Sequence, residues 1–181
     1  MLLTGLLPDI TSDPAIETAT DSLEVGRSGT IVAPVGIRPP LLAAVATRAA
    51  TPLVVLTATG RDAETLTNAL ASWIPGVAML PAWETLPHER LSPQVDTMAR
   101  RIAVLRRLVH PIAGDESAGP ISVLVVPIRA FLQPIISGLA DLEPVRVRTG
   151  DILDFTETTN RLAELGYERV DMVEGRGQMS V

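Results

Sequence analysis

Short runs of apolar residues alternate along this chain with longer segments of helical periodicity, and this alternation restricts the possible folds more than any other feature. The apolar runs, each bounded by Gly, Pro or Thr, lie at 30–33, 53–56, 77–80 and 121–126. The helical segments lie at 41–50, 62–74, 94–108 and 130–139. Strands that are apolar throughout are buried on both faces, as in a parallel sheet covered by helices. We therefore predict an α/β fold with a parallel sheet and helices on both of its faces.

The pattern changes near residue 140. Residues 145–148 alternate apolar side chains with arginine and predict a half-exposed strand. Residues 154–157 have the form of a capping box, which predicts a helix that ends at Gly166. Residues 167–173 alternate again, and 174–177 predict a hairpin loop. The second hairpin arm stops at the end of the chain, which favours a fragment of a longer protein.

These changes divide the chain into three predicted parts. Residues 1–28 form an N-terminal arm with little core, in which 11–14 could cap a short helix. Residues 29–140 form the α/β domain, and 141–181 form the first part of a small α+β domain.

Composition excludes several classes of chemistry. All 15 basic side chains are Arg, and the chain has no Cys and only 2 His. Schiff-base lysines, cysteine nucleophiles, disulfides and multi-histidine metal sites are therefore excluded. The net charge of -6 makes the chain a poor DNA clamp, because phosphate neutralisation dominates that affinity. With no signal peptide and no apolar run of roughly 18 residues, we expect a cytoplasmic protein without membrane contact.

The turn between the first predicted strand and helix is where a nucleotide-binding protein of this class would carry its phosphate loop. It contains Ala33, Gly36, Arg38, Pro39 and Pro40. Ala33 and Arg38 occupy the positions of the required glycines. Pro39 and Pro40 replace the lysine and the hydroxyl residue, and prolines lack the N–H groups that would bind the anion. We predict a degenerate phosphate loop with no cofactor, or alternatively a weak anion site at Arg38.

The proline-rich segment at 80–93 and the arginine-rich helix after it have alternative interpretations. Glu84, His88 and Glu89 could act as acid–base groups, but they lack a partner cluster. A stiff loop with Trp83 as its packing anchor is therefore favoured. On the next helix, a solvated outer face is predicted for Asp96, Arg100, Arg106 and Arg107. Arg101 falls on the apolar side and needs a partner or a route to solvent.

Two separated motifs carry a family resemblance. The first consists of Trp83, Glu84, Thr85, Leu86, Pro87, Ser92 and Pro93. The second lies at 166–177 and begins Gly-Tyr-Glu-Arg. Together they resemble the N-terminal region of the bacterial transcription-repair coupling factor family, from about residue 29 onward.

In that family this region is similar to the repair protein UvrB. The resemblance implies a degenerate RecA-like domain at 29–140, which has lost its nucleotide site, and a UvrA-docking small domain at 141–181. It also implies that ATP, Mg²⁺, DNA and RNA polymerase are bound by other, downstream domains of the family protein. On this interpretation the chain is a non-catalytic module of transcription-coupled repair, which recruits UvrA and contacts the other domains of the full-length protein.

The resemblance points to arginines as docking residues. Arg169 stands where UvrB carries an arginine on its UvrA-facing surface. Arg176, Arg146 and Arg148 are further candidates, because a guanidinium can pair with a carboxylate through two hydrogen bonds. Each of the four could instead be a solvated surface arginine.

Two other functions are kept as alternatives. The chain could be a divergent nucleotide-binding or nucleotide-hydrolysing enzyme domain, although the missing lysine and the prolines argue against it. The arginine-rich helix could bind DNA directly, although the acidic balance of the chain argues against that.

Overall fold

The computed structural model describes residues 3–21, 28–85, 94–175 and 177–180. Its centre is a parallel sheet in the order β1–β3–β2, formed by β1 (Leu53–Thr57), β2 (Val77–Met79) and β3 (Val123–Pro127). The helices among the described residues are α1 (Leu7–Thr11), α2 (Pro14–Asp21), α3 (Arg38–Arg48), α4 (Gly60–Ala71), α5 (Val95–Val109), α6 (Ile128–Phe131) and α7 (Phe155–Glu164). Short 3-10 turns lie at Thr4–Leu6, Val35–Ile37 and Leu139–Asp141. The predicted α/β fold with a parallel sheet is confirmed.

Strand β3 lies in the middle of the sheet, where Val123 stands opposite Leu53 of β1 and Val77 of β2. All of its residues are buried. Because side chains alternate between the two faces of a strand, Val123 and Val125 face one side of the sheet. They pack there with residues of α3 and α4, including the fully buried Leu70. Burial on both sides explains why β3 reads as a continuous apolar run.

The second face of the sheet is covered unevenly. Leu124 and Val126 of β3 pack there with Val104 of α5 and Ala130 of α6. On β1, Val54 and Leu56 are 51% and 48% exposed. The predicted coverage by helices on both faces therefore holds over β2 and β3, but only in part over β1.

The predicted strand at 30–33 is wrong. Residues 28–34 are not part of a ladder, and Val32 is 94% exposed. The segment is a short apolar run bounded by Gly and Pro, as a buried strand would be, but a strand also needs a neighbouring strand to pair with its N–H and C=O groups. In the described ranges, the ladders of the main sheet join only β1, β2 and β3. Helix α3 also begins at Arg38, before its predicted start at 41, because proline is tolerated in the first turn of a helix.

The N-terminal arm has more core than predicted. Leu7 of α1 is buried in the same cluster as the residues of α3 and α4, and Leu3 donates its N–H to the carbonyl of Ser72 at 2.6 Å. The predicted cap is confirmed, because the carboxylate of Asp13 accepts the N–H of Ala15 at 2.8 Å. The statement that the arm contributes little core is therefore wrong for α1.

The C-terminal region keeps one predicted element and changes three. Helix α7 begins after Asp154, whose carboxylate accepts the N–H of Glu157 at 2.8 Å, as a capping box predicts. The helix predicted at 130–139 is shortened to α6, and 145–148 form no strand. β4 (Glu168–Arg169) and β5 (Gln178–Met179) pair in parallel, so the predicted hairpin is wrong.

The side-chain oxygen of Gln178 accepts the N–H groups of Glu174 and Gly175 at 2.9 and 3.0 Å, next to the start of β5. Among the described residues, none of the helices combines the length and the hydropathy needed to span a bilayer.

Candidate functional site

The turn before α3 offers few donors to an anion. Of the first three helical residues, Pro39 and Pro40 have no N–H, and Arg38 donates its N–H to the carbonyl of Val35. Pro40 is buried, and Ala33 and Gly36 lie outside any ladder or helix of α type. A phosphate held at a helix N-terminus needs several free N–H groups that point at it. This N-terminus is therefore poorly suited to bind the phosphates of a nucleotide.

Trp83 is held against the end of the sheet from two directions. The backbone N–H of Trp83 donates to the side-chain oxygen of Gln133 at 2.8 Å. Its backbone carbonyl accepts from the amide nitrogen of the same Gln133 side chain at 3.3 Å. The guanidinium of Arg101 covers the indole ring, 4.5 Å from its centroid, and donates to the carbonyl of Pro81 at 2.6 Å. Arg101 is 1% exposed, and its burial lowers its pKa. The predicted anchor at Trp83 and the predicted need of Arg101 for a partner are both confirmed.

Glu84 is held in its charged form. The hydroxyl of Thr97 donates a hydrogen bond to its carboxylate, and this bond is the main cause of a pKa below the ordinary value. Its backbone carbonyl accepts from the guanidinium of Arg129 at 3.2 Å. A carboxylate with a lowered pKa is a poor general acid near neutral pH. The contacts tie the segment to α5 and α6, which favours a packing role over catalysis.

The rest of the first motif is only partly described. Thr85 is half-buried beside Glu84. Leu86, Pro87, Ser92 and Pro93 lie outside the described residues, as do His88 and Glu89. The acid–base alternative for those two residues therefore stays a prediction.

Of the docking candidates, Arg169 lies in β4 and is exposed. Its backbone is fixed by the ladder to β5, because the N–H of Val170 donates to the carbonyl of Met179 at 2.9 Å. Arg176 lies outside the described residues. Arg146 and Arg148 belong to no helix or strand and lie in the segment that precedes α7.

Arg146 and Arg148 line a cavity of about 470 Å³, together with Arg106, Arg107 and His110 at the C-terminal end of α5. Its other wall includes Asp115 and Ser117 in the connection between α5 and β3. Arg106 and Arg107 are half-buried, so the prediction of a solvated outer face is wrong for these two. It is confirmed for Arg100, which pairs with Asp96 at 2.7 Å on the exposed side.

Sequence reasoning missed this cavity. Arg107 and Arg146 are far apart in the sequence, and the helical wheel of α5 does not show that the segment 144–148 crosses its end. The single signal available beforehand was the density of arginine in the two segments. In the described ranges, no group of three His, Asp or Glu side chains is placed to hold a metal ion.

Comparisons with known proteins identify relatives of one kind. The chain is 47% identical over 154 residues to the transcription-repair-coupling factors of Mycobacterium bovis and Mycobacterium tuberculosis, which covers 84% of this chain. It is 26% identical over 140 residues to the transcription-repair-coupling factor of Escherichia coli, which covers 76% of this chain. The chain spans about 12% of the length of each of these relatives. No protein-family model matches the chain.

Proposed function

This chain belongs to the family of the transcription-repair-coupling factors, and from that premise we propose that it is an interaction module that recruits UvrA. Through this contact it helps to connect RNA polymerase stalled at DNA damage with nucleotide excision repair in the cytoplasm. The observation that carries the proposal is the 47% identity over 154 residues with the mycobacterial factors.

The second part of the proposal is that the described chain does not hydrolyse nucleotides. The N-terminus of α3 supports this, because Pro39 and Pro40 remove two of its N–H donors and Val35 accepts a third. The absence of lysine from the sequence supports it as well, because a phosphate loop uses lysine to reach the β- and γ-phosphates. ATP and Mg²⁺ would act elsewhere in the full-length family protein.

We assign the contact with UvrA to the surface around β4. Arg169 is exposed there, and the ladder to β5 fixes the backbone that carries it. No other described side chain forms an ion pair with Arg169, so its guanidinium is available to a carboxylate of a partner. Met172 and Val173, in the segment after β4, are 72% and 52% exposed and would add apolar area to such an interface.

The test is a calorimetric titration in which UvrA is added to the whole polypeptide that the gene encodes. Arg169→Glu reverses the charge at the proposed contact and should weaken binding by about tenfold or more, as loss of one partner of an interfacial charge pair does. Arg61→Glu is the matched control, because Arg61 is an exposed arginine on α4, in a different part of the chain.

Unchanged affinity with Arg169→Glu would place the contact elsewhere, and absence of any binding by the unmodified protein would refute recruitment. The non-catalytic part is tested separately. ATP hydrolysis by residues 1–181 alone, measured as release of inorganic phosphate, would contradict it.

A further inference from the structure

We propose that the cavity between α5 and the segment 144–148 binds a compact phosphorylated ligand. Four arginines line it, Arg106, Arg107, Arg146 and Arg148, and Asp115 is the single acidic residue in the lining. The cavity volume of about 470 Å³ lies within the range of small-molecule sites. The proposal does not depend on the UvrA contact assigned to β4, because none of the lining residues lies in β4 or β5. Arg146 and Arg148, which the sequence suggested as docking candidates, are assigned here to the phosphorylated ligand instead.

The α5 arginines are fixed by their own hydrogen bonds and keep other donors free. Arg107 donates from Nε to the carbonyl of Gly119 at 2.8 Å, and Arg106 donates from one terminal nitrogen to the carbonyl of Leu142 at 3.1 Å. The Nε of Arg106 is buried and has no hydrogen-bond partner. This Nε is shielded from the cavity, so an anion there would be bound by the terminal nitrogens of the two guanidinium groups.

The opposite wall adds two arginines that are loosely held. Arg146 lies 3.6 Å from the carboxylate of Asp115, which is long for an ion pair. Arg148 donates its backbone N–H to Asp151 at 2.7 Å, and its guanidinium makes no hydrogen bond or ion pair with the described residues. Both side chains could therefore turn toward an anion without breaking a strong contact.

Asp115 shapes the cavity and offsets only one of its four arginine charges. One of its carboxylate oxygens accepts the N–H groups of Ser117 and Ala118 at 2.8 and 2.9 Å and the Ser117 hydroxyl at 2.8 Å. These bonds, led by the one from Ala118, lower its pKa and keep it charged. They close the turn that brings Gly119 to Arg107, where a side chain at Gly119 would overlap the carbonyl of Asp115. The wall is therefore built before any ligand arrives.

The surroundings favour a compact ligand over a polymer. The chain carries a net charge of -6, so an extended duplex would meet repulsion outside this cavity. His110, which also lines the cavity, is already paired with Asp141 at 2.7 Å. Several guanidinium groups within one concave site suit adjacent phosphate groups, since each can pair with two oxygens.

The probe for the test is inorganic pyrophosphate, titrated into this protein in a phosphate-free buffer and followed by calorimetry. Arg148→Gln removes a guanidinium that makes no side-chain contact and should leave the unfolding curve unchanged. We expect it to weaken pyrophosphate binding by about tenfold, the loss of one charge-assisted contact. Arg61→Gln, on an exposed face of α4, is the control and should change affinity less than about twofold.

Inorganic phosphate, a hexaglutamate peptide and a short DNA duplex are titrated in parallel. Binding that is tightest for pyrophosphate and sensitive to Arg148→Gln supports the proposal. No binding of pyrophosphate, equal weakening by Arg148→Gln and Arg61→Gln, or tighter binding of the peptide or the duplex than of pyrophosphate would each overturn it.

Discussion

Gly76 joins α4 to β2 in a conformation that only glycine adopts easily. Its φ is +74°, in the left-handed region, and its carbonyl accepts the N–H of Ser122 at 2.8 Å. A Cβ atom at this position would lie 2.9 Å from the carbonyl oxygen of Pro120 and 3.0 Å from the nitrogen of Ser122. Both atoms belong to the backbone that leads into β3, so they cannot move without disturbing the central strand.

Gly76→Ala therefore destabilises the fold in two ways, through backbone strain and through steric overlap, whereas Gly114→Ala adds only the backbone strain. Gly114 has a similar φ of +82° but no atom within 4 Å of the position of a Cβ. The left-handed conformation costs a non-glycine residue roughly 1–2 kcal/mol. The contacts at Gly76 add roughly 1–3 kcal/mol of overpacking. Reduced entropy of the unfolded chain offsets roughly 0.4–1 kcal/mol in both variants.

We expect Gly76→Ala to lower the free energy of unfolding by about 2–4 kcal/mol and Gly114→Ala by about 1 kcal/mol or less. Urea denaturation of the protein and of both variants measures this difference. The slope of the transition should stay the same in all three, so that the shift in midpoint reports stability. Equal destabilisation by the two substitutions would refute the steric argument, because they differ mainly in the backbone contacts at Gly76.

Two further perturbations test the contacts around Trp83. Thr97→Val removes the hydroxyl donor to Glu84 and should raise the pKa of that carboxyl toward its ordinary value of 4.5, as measured by NMR titration of the side-chain carbon. Because the pKa is lowered in the folded state, this bond stabilises the protein above about pH 4.5, and the benefit is lost as the pH falls through the folded pKa. A pKa of Glu84 that did not change would contradict this assignment. Arg101→Ala removes a hydrogen bond from a charged donor, worth roughly 1.5–3 kcal/mol, and should lower the urea midpoint accordingly. Arg61→Ala, at an exposed site, should change stability by less than about 0.5 kcal/mol, and equal effects of the two would show that Arg101 contributes no more than a surface arginine.

Local sequence signals predicted the elements whose stability comes from burial or capping. The apolar runs at 53–56, 77–80 and 121–126 became β1, β2 and β3, because their side chains meet neighbours in the two apolar clusters. The caps at Asp13 and Asp154 formed as predicted, because a cap needs only residues within its own turn.

Three of the predictions that failed concern pairing between distant segments. Residues 30–33 and 145–148 have strand-like patterns, but neither has a ladder partner in the described ranges. The third is the direction of β5, which pairs in parallel with β4 although the sequence pattern there resembles a hairpin.

The sequence by itself determined the class of the fold and the family, because each depends on residue identities in short, ordered segments. Tertiary structure alone decided which arginines come together. Arg101 is buried over Trp83, whereas Arg106 and Arg107 meet Arg146 and Arg148 across a cavity. That difference depends on where the segment 144–148 crosses the end of α5, and the crossing is set by packing between residues far apart in the chain.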